Sequence, residues 1–135
     1  MRDLRSLLID AIPGFEFPRV NLLDYTIIEA ENALEEESSF AADLSSEEIN
    51  ILAILMMIGW TQRQVTSIEN TRMKYSSSDF KFTSQANHLA KLLTLLKETQ
   101  RQSHHMQRLY KRRKVGDNGA YQSNWSSLRS NSAID

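Results

Sequence analysis

An uninterrupted run of apolar residues near the middle of the chain, Ile51 to Ile58, constrains its fold more than any other feature. The run continues past Gly59 to Trp60. It is much shorter than the roughly 20 residues that cross a membrane, so it predicts a buried helix. Ser45 and Glu48, three residues apart, fit the capping box that opens such a helix.

This helix is apolar on nearly every side, so other parts of the protein must cover most of it. One stripe at helical spacing holds Ile49, Leu52, Ala53, Met56 and Trp60, and a second holds Ile51, Leu55 and Ile58. A chain of 135 residues offers only a limited core. We therefore expect neighbouring subunits to cover part of the helix by packing against Ile51, Leu55, Ile58 and Trp60.

Three further segments show apolar residues at helical spacing. We predict helices over residues 3–12 and 21–37, and a last helix from Thr83 or Ser84 to about Lys114. The serine-rich stretch 74–82 is interpreted as the connection before that last helix. The sequence thus predicts an all-α protein. Residues 1–115 would form an antiparallel bundle of about four helices with a long last helix, and residues 116–135 an extended C-terminal arm.

An alternative interpretation places a helix-turn-helix motif within the third predicted helix. Residues 59–65 would then form the turn and the start of a recognition helix. We favour a continuous helix, because a glycine inside a helix costs only about 1 kcal/mol relative to alanine. The following stretch, residues 67–74, is also poorly patterned for a second helix of such a motif.

Charge is distributed very unevenly along the chain, although the formal net charge is only −1. Residues 1–50 contain three basic and twelve acidic residues, whereas residues 101–135 contain seven basic and two acidic ones. The acidic first part and the basic last part can pair within one chain. They can also pair between neighbouring copies, as in a head-to-tail ring.

The basic residues near the C-terminus concentrate in one run, Arg108, Lys111, Arg112, Arg113 and Lys114. Such a run can neutralise DNA phosphates or bind an acidic surface of a neighbouring subunit. It can also complement the dipole at the C-terminal end of a helix. No base-reading chemistry lies nearby, so DNA contact through this run would be non-specific.

Residue patterns that usually signal catalysis are missing from the sequence. It has no cysteine, no glycine-rich phosphate loop and no G-x-S-x-G elbow. His104 and His105 are adjacent, so on a helix they point about 100° apart and do not chelate one metal ion. We predict a protein that is not an enzyme and has no catalytic residues, metal ligands or cofactor. Charges alternate with leucines over residues 1–12, so we expect neither a secretory signal nor a membrane partner.

The last segment, residues 116–135, is rich in serine, asparagine and glycine. Three large residues stand out in it: Tyr121, Trp125 and Leu128. Apolar anchors spaced along a polar segment are typical of tails that dock into a partner. The same composition also fits an unstructured tail.

Parts of this sequence resemble the small neck proteins of tailed bacteriophages, also called head–tail connectors, adaptors or head-completion proteins. The resemblance covers about residues 45–128 and is carried by the stretches 74–93 (KYSSSDFKFTSQANHLAKLL), 106–114 (MQRLYKRRK) and 123–128 (SNWSSL). It implies a structural virion protein that forms a ring, usually of twelve subunits, beneath the portal and around the DNA channel. By this resemblance, Tyr121, Trp125 and Leu128 would be the portal-docking arm, with Arg108 to Lys114 at its root.

The resemblance further implies assembly in the cytoplasm of the host bacterium and residence in the neck of the virion. The partners would be the portal protein, copies of the chain itself, a downstream neck or tail protein, and packaged DNA. The alternative function is that of a small DNA-binding protein, such as a small terminase subunit or a helix-turn-helix regulator. Such a protein would use residues 59–65 and the basic run.

Overall fold

A computed structural model describes residues 2–27, 38–74, 82–115 and 121–123, and three helices account for most of these described residues. The mainly helical class expected from the sequence is confirmed. In chain order the elements are α1 (Arg2–Ala11), a 3-10 turn (Ile12–Gly14), β1 (Tyr25–Thr26), β2 (Ser39–Phe40), α2 (Ser46–Lys74), α3 (Phe82–Arg112), β3 (Arg113–Val115) and β4 (Tyr121–Ser123).

Helix α2 begins at the predicted capping box. The backbone N–H of Ser45 donates to Oε2 of Glu48 at 2.8 Å, and the backbone N–H of Glu48 donates to Oγ of Ser45 at 3.3 Å. Two backbone donors at the start of the helix are therefore satisfied within three residues. This reciprocal pair fixes where the chain turns into α2.

Helix α2 runs without interruption through Gly59, so the helix-turn-helix interpretation of residues 59–65 is wrong. A β-carbon placed on Gly59 would lie 3.5 Å from Leu7 of α1, which is an ordinary contact distance. The glycine thus marks a place where α1 lies against α2. With 29 residues α2 is roughly 43 Å long, and α3 with 31 residues is roughly 46 Å long.

Helices α2 and α3 pack side by side, and the start of α2 meets the end of α3, because Glu48 contacts Tyr110. Helix α1 lies against α2. The core forms at the end where these elements meet the 3-10 turn and the segment that follows it. Its buried members are Ile12, Phe15, Leu22, Ile51, Leu52 and Tyr110.

The helix predicted over residues 21–37 is wrong for residues 21–27; residues 28–37 lie outside the described parts of the chain. Oδ1 of Asn21 accepts the backbone N–H of Leu23 at 3.1 Å, which stabilises a turn in place of a helical start. Strand β1 then pairs with β2 in antiparallel register, and the rings of Tyr25 and Phe40 lie 6.1 Å apart. The side chain of Leu23, within the predicted helix, is 76% exposed.

The chain leaves α3 through a second antiparallel ribbon. Strand β3 pairs with β4, with Arg113 opposite Ser123 and Val115 opposite Tyr121. The predicted boundary between bundle and arm, at residue 115, therefore falls inside this ribbon. The first described residues of the predicted arm return to the end of α3.

Candidate interaction surfaces

A cluster formed by the buried Glu48 and Tyr110 and the exposed Arg19, here called the clasp, joins the N-terminal segment to both long helices. Tyr110 is only 1% exposed, and its hydroxyl donates to Oε1 of Glu48 at 2.5 Å. The same hydroxyl accepts the backbone N–H of Arg19 at 2.9 Å. The ring of Phe15 meets the Tyr110 ring edge-on, with 5.2 Å between centroids. The clasp therefore locks three sequence-distant elements together.

The side chain of Arg19 completes the clasp by capping α3. Its Nη2 donates to the carbonyl oxygen of Tyr110 at 2.8 Å and also to that of Arg113. Carbonyl groups in the last turn of a helix have no partner within the helix, so a guanidinium is well suited to satisfy them. The guanidinium carbon also lies 4.1 Å from the centroid of the Tyr110 ring, within cation–π distance.

The contacts within the clasp shift the pKa values of Glu48 and Tyr110. Burial by itself raises the pKa of Glu48. Hydrogen bonds from Tyr110 and Ser45, together with the charge of nearby Arg19, lower it by more, so the pKa of Glu48 lies below the ordinary 4.5. Burial and the hydrogen bond to Glu48 raise the pKa of Tyr110 to about 12. At neutral pH the carboxylate is thus charged and the phenol neutral. A phenol held this firmly as a donor stabilises the fold and is a poor proton-transfer group.

Gln107 fastens the 3-10 turn to α3 beside the clasp. Its Oε1 accepts the backbone N–H of Glu16 at 2.9 Å, while its Nε2 donates to the carbonyl oxygen of Gly14 and to Oγ of Ser103. The hydroxyls of the buried Thr61 and Thr99 each donate to a carbonyl four residues earlier in their own helix. These buried polar groups are therefore satisfied by structural hydrogen bonds.

The four residues expected to pack against neighbouring subunits divide between the inside and the outside of the chain. Ile51 is 0% exposed and belongs to the core of its own chain, so it has no surface left for a neighbour. Leu55 is half-buried against Gly14, and Ile58 is half-buried too. Trp60 is 48% exposed and is the member of this set that faces outward.

A row of exposed apolar side chains runs along the outward side of α2. This row, here called the outer α2 stripe, consists of Ile49, Ala53, Met57 and Trp60. At 100° per residue the four lie within an arc of roughly 80°, on the side of the helix opposite Ile51. Ile49 is 52% exposed and Met57 51%. Sequence reasoning named Trp60 but did not single out the other three as an outward surface.

A signal for this stripe was present in the sequence. The fourteen residues from Ile49 to Gln62 include no charged side chain on any side of the helix. A helix with one face in water normally carries charges on that face. The missing charges therefore point to a second covered face, although periodicity alone does not say which face it is.

The predicted basic run is divided by its contacts. Arg108, Lys111 and Arg112 are exposed on α3, and Nζ of Lys111 lies 4.0 Å from the centroid of the Phe17 ring. Arg113 forms an ion pair with Glu47 at 2.9 Å. This pair joins the acidic first part of the chain to its basic last part within one molecule. Lys114 lies in β3, opposite Gln122.

Only one of the predicted portal-docking residues falls in a described part of the chain. Tyr121 opens β4 and pairs with Val115 through its backbone. Trp125 and Leu128 lie outside the described residues. Their proposed role as anchors stays a prediction.

Two hollows open on either side of α1. A groove of about 790 Å³ lies between α1 and α2, with the ion pair of Arg63 and Asp10 in its wall. An apolar pocket of about 270 Å³ lies between α1 and the β1–β2 ribbon.

Within residues 2–27, 38–74, 82–115 and 121–123, no group of three or more acidic or histidine side chains is placed to hold a metal ion. None of the described helices is long and apolar enough to span a membrane.

Comparison with known proteins returned nothing on which to base an assignment: no family model, curated protein or solved structure matches this chain.

Proposed function

We propose that this protein is a structural assembly subunit, a head–tail adaptor that forms a ring beneath the portal and binds the portal through its C-terminal segment. The observation that carries the proposal is the outer α2 stripe. Three large apolar side chains, each about half exposed, occupy one side of a helix that has no charge for fourteen residues. A neighbouring subunit that covers them removes this surface from water.

The area involved favours assembly through more than the stripe alone. Complete burial of an aromatic side chain covers roughly 150–250 Å², so half of that remains available on Trp60. A stable interface buries about 800 Å² on each partner. The stripe thus supplies the apolar centre of an interface, and surrounding polar residues must supply its rim.

The C-terminal ribbon supports a docking role for the chain that follows it. Strand β4 ends at Ser123 beside Arg113, which is tied to Glu47 and, through its carbonyl, to Arg19. Residues 124–135 therefore continue from a well-anchored end of the molecule. In this proposal Trp125 and Leu128 provide the contacts to the portal.

The test is a mass measurement in solution, by light scattering, on the protein alone and mixed with the portal protein of the virus that encodes it. Four chains are compared: full length, a chain ending at Val115, the double variant M57E/W60E, and a control, L23E. Leu23 is 76% exposed and lies outside the stripe, so L23E introduces the same acidic group elsewhere. Circular dichroism verifies that each chain folds.

We expect full-length protein and L23E to form the same large complex, which for twelve copies of 15.6 kDa has a mass of about 187 kDa. M57E/W60E should be monomeric, and the chain ending at Val115 should assemble without binding the portal. A full-length protein that stays monomeric at every concentration and ignores the portal would contradict the proposal.

A further inference from the structure

Helix α3 carries a row of cations along its outer side. This row, here called the basic face, consists of Lys97, Arg101, Arg108, Lys111 and Arg112, all of them exposed. At 100° per residue the five fall within an arc of roughly 100°, and at 1.5 Å per residue they extend over roughly 22 Å. The arc lies away from Leu92, Ser103 and Tyr110, which face the core.

Ion pairs within the described part of the chain involve few of these cations. Lys97, Arg108 and Arg112 form no ion pair with any other described residue. Arg101 pairs with Glu98, but both side chains are more than 60% exposed, so water screens that pair strongly. The helix dipole favours cations only in the last turn, which leaves Lys97 and Arg101 unexplained.

The make-up of the basic face indicates the kind of partner it fits. A protein interface usually has apolar or aromatic anchors at its centre, and the positions between these cations hold His104 and other polar or small residues instead. Single-stranded nucleic acid is usually held by several aromatic side chains that stack on successive bases. Among the described residues the basic face offers the exposed ring of Phe17, against Lys111, and the nearby His104 at one end, and no such ring beside Lys97 or Arg101. A duplex presents one phosphate charge per 1.7 Å of axis, so 22 Å of it offers about 13 phosphates.

From this geometry we infer that the basic face of α3 binds the phosphate backbone of duplex nucleic acid without reading its sequence. Cations on one rigid rod can follow a backbone, and contacts to phosphates position a protein without specifying bases. Glu16, in the hollow beside His104 and Arg108, bounds the face at the end near Phe17. The inference depends on α3 alone and holds whether or not the chain forms a ring.

The experiment measures binding to a 25-base-pair duplex DNA by fluorescence anisotropy, between 50 and 200 mM salt. The variant is R108Q/R112Q, and the control is R72Q/K91Q. Arg72 and Lys91 are exposed but lie off the basic face, and both double variants remove two positive charges. Glutamine, arginine and lysine have similar helix propensities, so both variants should fold.

The expected result is a difference in salt dependence. Five phosphate contacts give a slope of log affinity against log salt of about −4.5, equal to a roughly 500-fold loss over this fourfold salt range. R108Q/R112Q should flatten the slope to about −2.7, equal to a roughly 40-fold loss, while R72Q/K91Q should keep the original slope.

Equal slopes for the variant and its control would overturn the inference, as would the absence of duplex binding at 50 mM salt. If R108Q/R112Q instead changed the mass of the assembled protein, the basic face would be a contact to an acidic surface of another copy, which also overturns the inference. The mass measurement on M57E/W60E is separate from this one, so failure of the proposed ring and failure of the DNA contact are distinguishable.

Discussion

Tyr110 is the residue at which the first and last parts of the chain meet. Its hydroxyl bonds both Glu48 and the backbone of Arg19 in a place that water scarcely reaches. Tyr110 lies at helical spacing from Leu92, Thr99 and Ser103, on the side of α3 that is buried. The spacing did not reveal its partners, because Arg19 lies 91 positions away and helical periodicity reports only on one helix at a time.

Removal of the Tyr110 hydroxyl should therefore destabilise the protein. In Y110F, Glu48 loses one hydrogen bond while remaining buried, and the backbone N–H of Arg19 loses its acceptor. We expect the free energy of unfolding to fall by roughly 1–3 kcal/mol, measured by urea denaturation. The matched control is Y25F, since Tyr25 is half-buried and forms no hydrogen bond through its hydroxyl to another described residue. A loss in Y25F as large as that in Y110F would contradict the role of the clasp.

The lowered pKa of Glu48 gives the protein a defined acid sensitivity. Because the folded-state pKa lies below the ordinary 4.5, the unfolded chain binds the proton first as pH falls. The stability that Glu48 contributes is present above pH 4.5 and is lost as pH falls below it, at up to about 1.4 kcal/mol per pH unit.

Urea denaturation of the wild type and of E48Q between pH 3 and 7 tests this contribution. E48Q should be less stable at pH 7, and its stability should fall less steeply below pH 4.5 than that of the wild type. The exposed carboxylates are present in both proteins and cancel in the comparison. Parallel curves for the two proteins would show that Glu48 does not carry the effect.

At the scale of the element, the position where α2 starts is predicted correctly by a short sequence motif, the capping box. Ser45 and Glu48 are three residues apart, so both halves of the capping box can be recognised without knowledge of the tertiary fold. The continuity of α2 through Gly59 was predictable for a similar reason, since one glycine costs less than the packing of a long apolar face contributes.

Loss of the cap should be measurable on its own. We expect S45A to lower the free energy of unfolding by roughly 0.5–2 kcal/mol. The control is S46A, because Ser46 is the next residue and is exposed at the start of α2. S46A should change the stability by less than about 0.5 kcal/mol. Equal effects of the two substitutions, in thermal or urea unfolding, would show that α2 does not depend on this cap.

The segment after Asn21 does not form the helix that its spacing of apolar residues predicts. Leu23 and Ile27 have helical spacing, and yet the chain forms β1 and pairs with β2. The Asn21 side chain bonds the backbone two residues later, which competes with helix formation. The pairing with Ser39 and Phe40 is a tertiary contact, so periodicity within residues 21–27 contains no information about it.

At the scale of the whole molecule, two surfaces lie on the sides of their helices turned away from the core: the outer α2 stripe and the basic face of α3. The apolar composition of the one and the basic composition of the other were visible in the sequence. The packing of α1 and α3 around α2 decides which of these residues face outward. This packing consists of tertiary contacts, which the spacing of residues within one helix does not reveal. Ile51 illustrates this, since its place in an apolar helix did not distinguish a core position from an intersubunit one.

The long sequence separation within the clasp also has a consequence for the timing of folding. Arg19 leaves the ribosome 91 residues ahead of Tyr110, which at 5–20 residues per second is a delay of roughly 5–18 s. Throughout that interval the first segment of the chain has neither its hydrogen-bond acceptor nor the aromatic ring beneath its guanidinium. The segment around Arg19 is thus synthesised well before it can be fixed in place, and newly made chains keep this segment unattached until α3 is complete.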